Sequence, residues 1–132
     1  MLRIDKPNVR VSGAIPIVPK GEKASRSFML PRGYVGDIFI QLETPTLSAA
    51  DLPDGASVGV AAIIAENKRA AHGGGCQTIG LLTVTGENGR GAMAQTVEVR
   101  LRPAASLVRL VLARVGITRP LGEIRYRVSF AR

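Results

Sequence analysis

His72 and Cys76 are residue types that commonly act in catalysis or metal binding, and they flank a run of three glycines. A His-Gly-Gly-Gly sequence can form the oxyanion-binding turn of a hydrolase, but the chain has no Gly-x-Ser-x-Gly nucleophile elbow and no second histidine. A metal site needs three or four ligands, and this pair supplies two. The Gly-rich loop 86–91 lacks the Lys-Ser/Thr pair of a phosphate-binding loop. We therefore expect no enzymatic activity, no bound metal and no cofactor.

Two pairs of arginines have the spacing of side chains on one face of a strand. Arg100 and Arg102 form one pair, and Arg125 and Arg127 form the other. If both strands lie in one sheet, the four guanidinium groups form a basic patch that could bind a partner. Nucleic acid is one such partner, but single-strand binders present aromatic platforms beside the charge, and this chain has no Trp, two Tyr and three Phe. A solvated sheet face is the other interpretation.

The net charge of +8 is unevenly distributed. Residues 1–33 carry seven basic and two acidic groups, residues 34–66 carry five acidic groups and no basic one, and residues 67–132 carry eleven basic and three acidic groups. This asymmetry indicates a charged partner or head-to-tail contact between copies. Fourteen of the eighteen basic residues are Arg, which suits interfacial ion pairs, although a GC-rich genome would give the same bias.

The C-terminal third, 95–132, predicts three strands in a row. Apolar and polar residues alternate over 97–102 and over 124–131, which is typical of strands with one wet face. In the run 107–115 the odd-numbered and the even-numbered positions are both apolar, except for Arg109 and Arg114. This pattern predicts a central strand covered on both sides. We expect the flanking strands to be its neighbours.

Three further strands are predicted upstream. They cover 25–30, 38–43 and 76–85, and Pro45 ends the second of them. Residues 48–51 have the start of a capped helical turn. Segment 57–66 is ambiguous, since Val and Ile favour a strand and the alanines favour a helix over 58–71. We prefer a strand, partly because Gly59 disfavours a helix. The loop 86–91 has hairpin-type turn chemistry.

Residues 1–33 are interpreted as an extended N-terminal arm. Four prolines bar a helix interior, and the apolar residues are too many for a free tail. We expect Ile15, Ile17 and Val18 to contact a partner across a subunit boundary, with the acidic segment 34–66 of another copy attracting the basic arm. The alternative is an arm that folds back as an edge strand of its own sheet.

These elements predict an all-β fold, an antiparallel β-sandwich that is jelly-roll-like, in two parts: the arm at 1–33 and the sandwich at 34–132. One cysteine rules out an intrachain disulfide, so burial or partners must supply stability. The start lacks the apolar run of a signal peptide and no apolar stretch could cross a bilayer, so we expect a soluble protein made in the cytoplasm, with no membrane partner. The predicted core comprises Ile38, Ile40, Leu42, Val97, Val99, Leu101, Leu110, Leu112, Tyr126, Val128 and Phe130.

A small sandwich without disulfides and with a Pro-containing arm resembles the jelly-roll cement, or decoration, proteins of tailed-bacteriophage capsids. The resemblance is architectural and includes no sequence motif. It implies a virion structural protein on the capsid exterior, made in the host cytoplasm, that clamps neighbouring major capsid protein subunits, often as a dimer or trimer. A basic nucleic-acid-binding β-barrel is the main alternative, and a carbohydrate-binding or tail-associated sandwich is a third.

Overall fold

The computed structural model describes residues 9–31, 34, 36–65, 77–102 and 107–130. His72 and Cys76, the predicted loop 72–75 and the end of the alternative helix 58–71 lie outside these residues. Every regular element of the described chain is a strand, which confirms the all-β prediction. The strands are β1 (Val9–Pro16), β2 (Ser25–Met29), β3 (Ile38–Glu43), β4 (Ser57–Ala65), β5 (Gln77–Thr85), β6 (Thr96–Leu101), β7 (Leu107–Val115) and β8 (Glu123–Phe130).

The eight strands form two four-stranded antiparallel sheets. Sheet A has the order β1-β8-β3-β6, and sheet B has the order β2-β7-β4-β5. The first strand pairs with the last, the second with the second-last, and so on inward: β1 with β8, β2 with β7, β3 with β6, and β4 with β5. The chain is thus a single long hairpin, rolled so that β8 also pairs with β3 and β7 with β4. This is the double-sheet topology of a jelly roll, as predicted.

The core lies between the two sheets and is built by period-two alternation. In β3, Ile38, Ile40 and Leu42 face inward and are fully buried, and in β7 the inward residues are Val108, Leu110 and Leu112. Eight of the eleven predicted core residues are buried, and the other three, Val97, Val99 and Phe130, are partly buried and pack against the core.

The predicted neighbourhood of the C-terminal strands is wrong. β7 is central, but its partners are β2 and β4 in sheet B, whereas β6 and β8 lie in sheet A with β3 between them. The physical reason is that a period-two pattern marks a strand with one wet face and carries no information about the partner strand. The loop at 86–91 is likewise no hairpin, because it belongs to the connection from the edge strand of one sheet to the edge strand of the other.

The ambiguous segment is a strand, as preferred. β4 occupies Ser57–Ala65 at the centre of sheet B, and its register with β5 shifts between Val60 and Ala61, which leaves Leu81 as the extra residue of a β-bulge. Gly59 lies beside this bulge, where a Cβ would overlap the backbone oxygen of Leu82. Glycine is therefore required here by close approach of the neighbouring strand.

The described residues of the predicted arm belong to the sandwich. β1 pairs with β8 at one edge of sheet A, and β2 pairs with β7 at one edge of sheet B. For residues 9–31 the structure therefore has the alternative arrangement, edge strands of the chain's own sheets. The reason is that β1 and β2 supply the partners that β8 and β7 need to complete their hydrogen-bonded ladders.

Candidate protein-binding surface

The four predicted arginines lie in one sheet, as the patch hypothesis required, but they do not form one patch. Arg100 belongs to β6 and Arg102 follows its end, whereas Arg125 and Arg127 lie on β8. The intervening strand, β3, presents Gln41 opposite Arg127 and Glu43 opposite Arg125. The two pairs are therefore separated by a strand that carries its own polar and acidic side chains.

Each arginine pair has acidic neighbours. The Nε of Arg102 lies 2.9 Å from Oδ1 of Asp37, and the Nε of Arg100 lies 3.8 Å from Oδ2 of the same carboxylate. On β8 the Nε of Arg125 lies 3.9 Å from Oε1 of Glu123. These guanidinium groups are largely exposed, so the ion pairs contribute little to stability. The neighbouring carboxylates nevertheless offset part of the positive charge that would attract a polyanion.

The outer face of sheet A is a mixed-charge surface. Among its described residues, Asp37, Glu43, Glu98 and Glu123 balance Arg100, Arg102, Arg125 and Arg127. An acidic residue precedes each arginine pair along its strand, Glu98 on β6 and Glu123 on β8, and Glu43 lies opposite Arg125. Such a face has no continuous positive groove of the kind that single-strand nucleic-acid binders present.

The three apolar candidates of the predicted arm lie against their own chain. Ile15 and Ile17 are fully buried in the core between the sheets, and Val18 is partly buried against the same core. Ile17 also exchanges backbone hydrogen bonds with the β7–β8 loop, donating to Gly122 O at 2.8 Å and accepting from Leu121 N at 2.9 Å. The expectation that Ile15 and Ile17 contact a partner is corrected accordingly, because their burial is intramolecular.

Two carboxylates of the acidic segment 34–66 form ion pairs within the chain. Asp37 meets Arg102, and Asp51 meets the guanidinium of Arg119 in the β7–β8 loop. The hydrogen bond from Arg119 is the main reason that the pKa of Asp51 lies below its ordinary value. Asp54 accepts a hydrogen bond from the amide of Gly89 at 2.8 Å. The contacts of Asp51 and Asp54 tie together three loops at one end of the sandwich, whereas the Asp37–Arg102 pair lies at the other end.

The outer face of sheet B differs sharply from that of sheet A. Its side chains are those that alternate with the inward positions of the four strands, and they are mostly small, uncharged and apolar or hydroxylated. The described residues of this face, called here the sheet B outer face, are Ser25, Ser27, Met29, Ser57, Gly59, Ala61, Ile63, Ala65, Thr78, Gly80, Thr83, Thr85, Leu107, Arg109, Val111, Ala113 and Val115. Arg109 is the one charged residue among them.

The outward side of β7 is apolar except for Arg109, and the described residues of the sandwich leave part of it exposed. Leu107 is 1% exposed and packs with Ala65 and Ile63, but Ala113 is exposed and Val115 is 63% exposed. Met29, opposite Leu107 in the neighbouring strand, is 62% exposed. The prediction that β7 is covered on both sides is thus met at one end only.

Sequence reasoning missed this surface although its signal was in the sequence. The run 107–115 is apolar at both parities, and β5 has no charged residue between Gln77 and Thr85. The first feature was interpreted as burial inside the domain, and the second was not interpreted. Apolar residues at both parities indicate burial without indicating whether the cover comes from the same chain.

Within the described part of the chain, no cluster of three or more His, Cys, Asp or Glu side chains could hold a metal ion, and no helix is long and apolar enough to cross a membrane. A scan against protein-family models finds no match for this chain. A search of curated protein sequences finds no significant similarity either.

Proposed function

We propose that this protein is a non-enzymatic virion structural protein, a cement or decoration protein that binds the outside of the major capsid protein lattice through the sheet B outer face. The observation that carries the proposal is the outward side of β7, where, among the described residues, apolar Ala113 and Val115 are exposed. Contiguous exposed surface of low polarity marks protein-binding sites more often than it marks free solvent-facing surface.

The composition of this surface suits a protein partner better than a polyanion. Charged residues are depleted at the centres of protein–protein interfaces, and the sheet B outer face has the single cation Arg109 among its described residues. Nucleic-acid binding, by contrast, depends on several cations that neutralise phosphates. The mixed-charge outer face of sheet A would then remain in solvent and keep the decorated particle soluble.

The size of the surface fits a modest interface. The three nine-residue strands of sheet B are about 30 Å long and the five-residue β2 is about 17 Å long, so at about 4.8 Å between strands the flat footprint is about 500 Å². Standard protein–protein interfaces bury about 800 Å² on each partner. One copy therefore supplies somewhat less than a standard interface, which is compatible with a decoration protein that gains occupancy from many neighbouring sites.

Co-sedimentation with capsid shells tests the proposal. The shells are assembled from the major capsid protein encoded in the same genome, and binding is measured with the purified protein in increasing amounts. Ala113→Glu places a carboxylate in the middle of the sheet B outer face, and we expect it to weaken binding about tenfold or more because that charge must be desolvated.

Ala14→Glu is the matched control, because Ala14 lies on the outer face of sheet A opposite Arg125. We expect this variant to bind shells like the wild type. Equal binding by Ala113→Glu and the wild type would contradict the assignment of the surface, and failure of the wild type to bind shells would contradict the proposed function. A labelled oligonucleotide serves as the competing ligand: tight binding that weakens steeply with salt would favour the nucleic-acid alternative.

A further inference from the structure

The four edge strands of the sandwich are not equally protected against pairing. β1 contains Pro16, β2 contains Arg26, and β6 contains Glu98 and Arg100. Prolines and charged side chains on an edge strand prevent it from pairing with a strand of another molecule. β5, from Gln77 to Thr85, is an edge strand of nine residues without a charge or a proline.

No described strand pairs with the outer edge of β5, and the backbone groups that point to this edge can be assigned from the ladder of β5 with β4. Gly86 N donates to Ala56 O at 3.0 Å, and antiparallel ladders alternate between bonded and non-bonded pairs. Thr83 and Thr85 therefore point their N–H and C=O groups away from β4. The bulge shifts the register by one residue, so that beyond it the outward groups belong to Thr78 and Gly80.

We propose that β5 pairs with β5 of a second copy, antiparallel across a two-fold axis, with Thr78 opposite Thr85 and Gly80 opposite Thr83 of the second copy. The spacing makes this edge self-complementary. The outward backbone groups belong to even-numbered residues before the bulge and to odd-numbered residues after it. In this antiparallel register, each residue whose backbone groups point outward therefore lies opposite such a residue of the other copy. The four pairs, counted over both copies, can form up to about eight backbone hydrogen bonds.

The side chains suit the same register. Thr78 and Thr85 would face each other, and cross-strand threonine pairs are favourable in sheets. Nothing lies within 4 Å of the position that a Cβ of Gly80 would occupy, so the side chain of Thr83 from the second copy has room there. On a chain of net charge +8, an edge without charges is also where two copies meet with the least repulsion.

The dimer would enlarge the surface assigned above. A two-fold axis perpendicular to the sheet reverses the strand direction and keeps the same face of the sheet on the same side. The two B sheets then form one continuous eight-stranded sheet, and the two sheet B outer faces lie side by side. Their combined footprint of about 1,000 Å² exceeds the roughly 800 Å² per partner of a standard interface. The β5 pairing itself does not depend on what that surface binds.

Sedimentation velocity over a micromolar concentration range tests the inference. We expect the wild type to approach twice the monomer mass of 13.9 kDa. Thr83→Pro removes an outward N–H without removing a bond to β4, and we expect it to sediment as a monomer with an unchanged circular dichroism spectrum. Thr83→Lys is the second variant, in case the proline perturbs folding, and we expect it to weaken dimerisation about tenfold or more.

The matched controls lie on β6, an edge strand of sheet A. Thr96 begins β6, and the hydrogen bond from Thr44 N to Gln95 O at 2.9 Å leaves its own backbone groups pointing away from β3. Thr96→Pro and Thr96→Lys should therefore dimerise like the wild type. A wild type that stays monomeric, or a Thr83→Lys variant that dimerises as well as Thr96→Lys, would overturn the proposal.

Discussion

Gly59 shows how a single residue sets the geometry of sheet B. A methyl group at this position would overlap the carbonyl oxygen of Leu82 at the bulge, and backbone atoms cannot move aside as a flexible side chain can. We expect Gly59→Ala to lower the free energy of unfolding by about 1–3 kcal/mol, as overpacked sites do. Urea denaturation followed by circular dichroism measures this change.

Gly80→Ala is the control for that substitution, and both variants are compared in the Thr83→Lys background so that pairing between copies does not contribute to the comparison. Gly80 lies on the neighbouring strand β5 with no atom within 4 Å of its missing Cβ. An alanine there reduces the freedom of the unfolded chain without a clash, so the expected change is a gain of up to about 1 kcal/mol. If Gly59→Ala were equally harmless, the close approach at the bulge would be absent in solution.

The contact between Asp51 and Arg119 should make the stability of the fold depend on pH. Its hydrogen bond holds the pKa of Asp51 below the ordinary value, so it stabilises the fold above the pKa of the unfolded chain and is lost as pH falls through the folded pKa. We expect Arg119→Gln to raise the pKa of Asp51, observed as a shift in its carboxyl carbon titration by nuclear magnetic resonance. The difference in stability between this variant and the wild type should shrink as the solution is acidified.

Arg90→Gln is the control for the titration, because it removes one exposed arginine from a loop without touching this ion pair. An unchanged Asp51 titration in Arg119→Gln would show that the hydrogen bond does not persist in solution.

At the scale of residues, the sequence predicted the inward face better than the contacts of charged groups. Alternation alone identified Ile38, Ile40 and Leu42 as core residues because one side of a strand must be apolar. It could not pair Asp37 with Arg102, since these residues are distant in sequence and meet only through the register of β3 with β6.

At the scale of elements, β7 is the strand whose burial is easiest to test. Leu112 faces the core and is 4% exposed, so Leu112→Ala should cost about 2–5 kcal/mol through lost burial and a residual cavity. Val115→Ala, at an exposed position of the same strand, should change stability by about 0.5 kcal/mol or less. Thermal and urea denaturation of both variants provide the comparison, and equal costs would mean that the assigned face of β7 is wrong.

Arg114 connects β7 to the β1–β2 loop. Its Nη2 donates to the backbone oxygens of Pro19 at 2.9 Å and Glu22 at 2.6 Å. Lysine cannot reproduce this planar arrangement, so Arg114→Lys should cost about 1–3 kcal/mol and speed amide hydrogen exchange in that loop. Arg127→Lys, on the outer face of sheet A, is the control that should leave exchange in that loop unchanged.

The strands themselves were predictable and their partners were not. Alternation located β3, β6 and β8, and the Val and Ile content of 57–65 favoured the strand that is found there. Pairing in a rolled hairpin joins segments far apart in sequence, and an alternating pattern fits any partner with the same wet and dry faces. The N-terminal strand β1 was missed as a core element because its prolines suggested an arm, whereas an edge position tolerates Pro16.

At the scale of the whole molecule, the first strand is part of the fold. Removal of residues 1–24 would delete β1 and take the buried Ile15 and Ile17 out of the core. We expect the truncated chain to lose its cooperative thermal transition and the dispersion of its amide resonances. Ser12→Ala, at an exposed position of β1, should keep both. A truncated chain that retained a native spectrum would show that the sandwich does not need β1, and would revive the interpretation of this segment as an arm.

The pairing of early strands with late strands has a consequence for the rate and the timing of folding. Only β4 and β5 are both adjacent in sequence and paired, while β1 and β8 bring Val9 beside Ser129. Contacts this far apart along the chain make folding slow, on the order of milliseconds to seconds for sandwiches of this size. A ribosome-bound chain can close the β4–β5 hairpin early, but it must hold β1, β2 and β3 unpaired until their partners emerge from the exit tunnel. Synthesis therefore precedes folding for most of this protein, and its unpaired strand edges remain exposed to aggregation until their partners have been made.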